Sequence, residues 1–150
     1  MRIPLHKLAR HTAANAAIEM ALLAPTLVFM VIAMADYGLA IHNRMQVQHA
    51  AQAGADYAMR NGFDSAAIAN AVTSATGVAG ITATPAPVET CGCPSGTSIT
   101  PATCGSSCAG GFTAGTYVNV SAQATYTTIV PYPGIPSSFT FAATAASRMR

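Results

Sequence analysis

The hydrophobic pattern of the chain changes period twice. From Met20 to Ala35 it has no period, because every position is uncharged and Leu, Val, Ile, Met and Ala dominate. Counted outward to Thr12, the only charge is Glu19. That suffices for the roughly 20 residues a helix needs to cross about 30 Å of hydrocarbon. Beyond Asp36 a helical period sets in: Tyr37, Ile41, Met45 and, slightly turned, Val47 and Ala51 form the expected inner face. Asp36, Asn43, Arg44, Gln46, Gln48 and Asp56 fall mostly elsewhere, and Asp56 can pair with Arg60 one turn on. Ala50, Ala51, Gly54, Ala55 and Ala58 permit close approach by another backbone, expected to be the domain's own sheet rather than a neighbouring helix. No strong breaker precedes Asn61-Gly62, so one helix of roughly 70 Å is expected from about Ala13. Pro25 removes a donor and crowds the preceding turn, which predicts a kink there. The kink is either a hinge or a tolerated feature of a membrane helix.

After Gly62-Phe63 the period is again helical, over SAAIANAVTSA, with Asp64 or Ser65 as cap and Ile68 and Val72 as the buried pair. Ile81 to Val88 reads as an extended edge segment, where prolines are tolerable. Residues 91–111 form an insert rich in Gly, Ser, Thr and Cys. Strict alternation follows. Thr116 to Val130 puts Val118, Val120, Ala122, Ala124 and Tyr126 on one face, and Ser138 to Met149 puts Phe139, Phe141, Ala143 and Ala145 on one face. With VPYPGIP as the connection, these two runs predict an antiparallel pair. The fold class is therefore α+β, a long N-terminal helix packed across a small antiparallel sheet.

Charge orients this arrangement. The opening MRIPLHKLARH carries Arg2, Lys7 and Arg10 and no acid, so the N-terminus is expected in the cytoplasm and the remainder exported. The expected organisation is a basic leader at 1–14, a transmembrane helix at 15–36 and an exported domain at 37–150. Only 8% of residues are charged and the net charge is +2, leaving no basic field for nucleic acid. Between Ser65 and Ser147 the sole charged residue is Glu89. So bare a surface suits an anchored protein or one packed against partners.

Candidate chemistry is sparse. Cys91, Cys93, Cys104 and Cys108 lie on the exported side, where oxidation is expected. A Cys91–Cys93 ring is awkwardly tight, so bridges between the two pairs are favoured. The nested arrangement, Cys93–Cys104 with Cys91–Cys108, suits a hairpin around SGTSITPAT. A four-thiolate zinc site is the rival, although CxxC knuckles are absent. His6 and His11 lie in the leader, while His42 and His49 can share a helix face without completing a metal site. There is no GxSxG elbow, phosphate loop or GxGxxG. No enzyme, cofactor or small-molecule substrate is expected.

Glu19 is the unusual residue. A charge in an apolar span costs several kcal/mol unless paired or close to headgroup water. The order of basic leader, small residues, Glu19 and apolar run resembles the processing and assembly signal of type IV pilin-like proteins. That resemblance implies cleavage by a prepilin peptidase, with Ala14 as last leader residue (where the family usually has Gly) and Asn15 as first mature residue. It also implies pairing of Glu19 with a neighbour's N-terminal amine at Asn15. Downstream, Glu19, Pro25, Asp36-Tyr37, Gly38 and the small-residue run Ala50 to Ala55 resemble the TadE-like family, pseudopilins of the tight-adherence (Flp pilus) machinery. The likeness extends to the cysteines and the two closing strands.

The resemblance implies a type IV pilin-like architecture and a single-pass minor pseudopilin of the bacterial inner membrane, its C-terminal domain periplasmic or extracellular. The implied partners are the membrane, prepilin peptidase, other pilus subunits and the Tad secretion machinery, in adhesion or biofilm formation. Two alternatives stand beside it. Ala33-Met34-Ala35 resembles a signal-peptidase site, which would release a soluble disulfide-bonded binding module starting at Asp36. A membrane-tethered zinc or thiol protein would use the four cysteines.

Overall fold

The computed structural model describes residues 9–96 and 98–149, with side chains described from residue 16 onward. Most of the leader therefore lies outside the described residues. The elements are α1 (Ala9–Asn61), α2 (Ser65–Ser74), β1 (Val88–Ser95), β2 (Ser98–Pro101), β3 (Gly115–Thr127) and β4 (Ser138–Arg148). The long helix begins four residues before the expected start at Ala13 and ends where expected, with Gly62 following at a φ of 85°. It continues through Pro25 as one element of 53 residues. Contacts divide the chain between Leu39 and Ala40.

The first unit is helical. Ile18, Met20, Leu22, Leu23, Leu27, Val28, Phe29, Met30, Val31 and Met34 are all exposed. These positions take up every side of the helix, so no single packed face can account for them. A helix apolar all round belongs in a membrane or a large protein core.

In the second unit α1 turns small residues inward. Val47, Ala50, Ala51, Ala55 and Ala58 are buried together with Gly54, at spacings of three and four. Val47 and Ala51 of the expected inner face are thus buried, and the small residues approach the sheet as expected, but that face is corrected at Ile41 and Met45, which are exposed, as is Tyr37 in the first unit. Close approach decides the matter. A Cβ on Gly54 would lie 2.6 Å from Val72 Cγ2 and 2.8 Å from Val120 Cγ1, so the buried stripe is the one where side chains are smallest. Helix α2 starts as expected: Asp64 Oδ1 accepts from the backbone N–H of Ala66 and Ala67 at 3.0 Å, satisfying two otherwise unpaired donors. Its Ile68 and Val72 are fully buried.

The sheet is antiparallel throughout, in the order β2-β1-β3-β4. The two alternating runs pair with their expected faces in register, Val120 opposite Ala145, Ala122 opposite Ala143, Ala124 opposite Phe141 and Tyr126 opposite Phe139. Val118, Val120, Ala122 and Ala124 join the core, and Phe141, Ala143, Ala145 and Met149 pack against it. A long-range hydrogen bond ties helix to sheet, Ser147 Oγ donating to the Ala55 carbonyl at 3.1 Å. The segment Ile81 to Val88 makes an isolated bridge, Thr82 and Gln123 exchanging both backbone bonds at 2.8 Å.

Candidate functional site

The insert at 91–111 contains more order than its composition suggested. Residues Val88 to Gly92 add to the free side of β3, and Gly92 to Ser95 then pair with β2. Successive residues of a strand face opposite ways, so Cys91 and Cys93 emerge on one face. Gly92 between them is buried. A Cβ there would collide with Ile99 and come within 2.8 Å of the Thr100 carbonyl oxygen, so only glycine lets β2 lie this close.

The pairing is Cys91–Cys104 and Cys93–Cys108, with Cα separations of 5.1 and 5.6 Å. It is crossed, which corrects the nested arrangement favoured from spacing. The reason is the strand register. β2 runs antiparallel to β1, with Pro101 opposite Gly92, and the Ala102 N–H donates to the Cys91 carbonyl at 3.0 Å. Cys104 therefore arrives beside Cys91, while Cys93 faces Thr100. The chain then turns back through the Ser107–Thr113 bridge and delivers Cys108 to Cys93. Closing loops of 13 and 15 residues stabilises by about 3 kcal/mol each in the chain-entropy picture. All four sulfurs are consumed.

The remaining candidate residues lie along α1. Ala14 and Asn15 are within the helix, their side chains outside the described set. Glu19 is exposed, flanked by exposed Ile18 and Met20. Leu22 and Leu23, one turn on, share its side of the helix and are exposed too. Asp36 closes the apolar run and is 4% exposed, whereas its neighbour Tyr37 is 70% exposed. Sequence reasoning treated Asp36 as a polar-face residue, and its burial had no signal in the local pattern. His42 and Gln46 approach each other at 3.4 Å on the exposed side. Among the described residues no three His, Cys, Asp or Glu side chains gather as a metal site would require.

These features define a class: a helix long and apolar enough to cross a membrane, running into a disulfide-braced α+β lobe. The family model described as TadE-like protein matches residues 9–56. That is the stretch carrying Glu19, Pro25, Asp36-Tyr37-Gly38 and the small-residue stripe, so the resemblance seen in the sequence holds there. It stops inside α1. The cysteines and closing strands, to which the likeness was extended, lie beyond the match. No curated protein and no solved structure matches the chain. TadE-like proteins are structural components associated with the Tad pilus.

Proposed function

We propose that this protein is a minor pseudopilin that serves the assembly of an Flp-type pilus. The carrying observation is the coincidence of the TadE-like match with an apolar helix whose large side chains are exposed on every side. In this reading the bilayer of the inner membrane holds α1 from about Asn15 to Asp36. The basic N-terminus stays in the cytoplasm, and the oxidised lobe stands on the other side, where disulfides persist. On assembly the helix passes from lipid to contacts with other subunits of the Tad machinery, and adhesion and biofilm formation follow from the pilus it helps to build. Glu19, a charge in hydrocarbon, is satisfied by the Asn15 amine of a neighbour freed by prepilin peptidase, which sets axial register.

The test is deletion and complementation. Cells lacking the chain should lose surface pili in sheared fractions while other membrane proteins keep their levels. Full-length protein should restore them, and a version truncated to start at Asp36 should not. Retained piliation in the deletion strain, or full rescue by the truncated form, would overturn the reading.

A further inference from the structure

The open edge of β4 has a polar wall opposite it. β4 stands last in the sheet order, hydrogen-bonded on one side to β3. A groove of about 530 Å³ runs along it, lined by Ala142 to Ala146 on one side and by Arg44, Gln48 and Gln52 of α1 on the other. Alternate residues of a strand face opposite ways, so five consecutive residues lining one groove present their backbone edge to it. That edge is unusual for natural sheets. β4 is 11 residues long and has no proline, and its single charge, Arg148, is at the far end. Long uncharged edges without proline are templates for strand addition, which proteins ordinarily block.

The opposite wall suits the same occupant. Arg44, Gln48 and Gln52 recur every fourth residue, on one line of the helix, and all three are exposed. Carboxamides both donate and accept, so they can satisfy the outer carbonyl and N–H groups of an inserted strand. The groove ends where Ser147 bonds to Ala55. Its strand wall is about 16 Å long at the rise of a β-strand, and its helix wall roughly 12 Å at the rise of an α-helix. Both suit about four or five extended residues.

We infer that this groove is a strand-addition site. It takes an extended peptide segment from a different polypeptide chain, hydrogen-bonded to the β4 edge, with a carboxylate of that segment on Arg44. Arg44 is the single charged group in the lining, and a charged hydrogen bond there sets the direction of the guest strand. A second copy of this chain is a poor donor. Its sole acid between Ser65 and Ser147, Glu89, sits on β1, already bonded to β3. The inference does not depend on the pilus reading.

The experiment places a photocrosslinking residue at Ala142, Thr144 or Ala146, all exposed, in the full chain in its native membranes, and maps the adducts by mass spectrometry. The expected result is one segment of another protein, contacted at positions two residues apart and carrying Asp or Glu. Arg44→Glu should lower the yield about tenfold and the double change Gln48→Ala, Gln52→Ala at least threefold, with unchanged disulfides and unfolding midpoint. Adducts only to lipid, to this chain or to a second copy of it would overturn the inference. So would target positions spaced three or four apart, which indicate a helix, or yields indifferent to Arg44→Glu.

Discussion

Gly54 and Val120 touch across the helix–sheet interface at a distance no side chain would allow. A Cβ at position 54 would lie 2.8 Å from Val120 Cγ1 and 2.6 Å from Val72 Cγ2. Neither neighbour has room to withdraw, because both are fully buried. The depth at which α1 sits on the sheet is therefore set by one missing methyl group.

Replacing Gly54 with Ala should destabilise the lobe by about 1–3 kcal/mol, because overpacking outweighs the gain in helix propensity. Gly54→Val should cost more. The check is the thermal unfolding midpoint of the full chain in detergent micelles. Gly38→Ala, where a Cβ meets nothing within 4 Å, is the matched control and should not lower the midpoint.

The crossed disulfides make a definite chemical prediction. Partial reduction, alkylation and fragmentation should yield Cys91–Cys104 and Cys93–Cys108 peptides and no Cys91–Cys108 peptide. Converting Cys93 and Cys108 together to Ser should lower stability by about 3 kcal/mol while leaving the first bridge closed.

The start of α2 rests on one carboxylate. Asp64→Ala removes the acceptor of two backbone N–H groups and should cost about 1 kcal/mol, whereas Asp64→Asn, which keeps an acceptor oxygen, should cost less. Chemical denaturation followed by circular dichroism separates the two.

Glu19→Gln should impair pilus assembly and leave membrane insertion intact, because the amide removes the charge but not the apolar helix. Carbonate extraction and sheared-pilus yield measure the two properties separately. Intact mass from native membranes adds the processing step, with loss of Met1 to Ala14 expected only in cells that have prepilin peptidase. Normal piliation by the Gln variant would remove Glu19 from the mechanism.

The local hydrophobic pattern along the chain was enough to place α1, α2, β3 and β4, because each depends on side chains a few positions apart. Unbroken apolarity from Met20, the cap at Asp64 and the two-residue alternation of Val118 to Tyr126 are local properties. Tertiary structure decided what depends on distance in space. It left Tyr37, Ile41 and Met45 out of the buried stripe and kept Val47 with Ala50, Ala51, Gly54, Ala55 and Ala58, the small residues the sequence had already set against the sheet, because a helix lying close to a sheet favours the smallest face over the most hydrophobic one. It also drew the hairpin expected around SGTSITPAT out into the strands Val88–Ser95 and Ser98–Pro101 and joined it to the sheet, because the open side of β3 supplied a partner. Finally, it crossed the disulfides. Cysteine spacing counts residues along the chain, whereas the β1–β2 register carries Cys104 past Cys93 to Cys91, and no count along the chain contains that register.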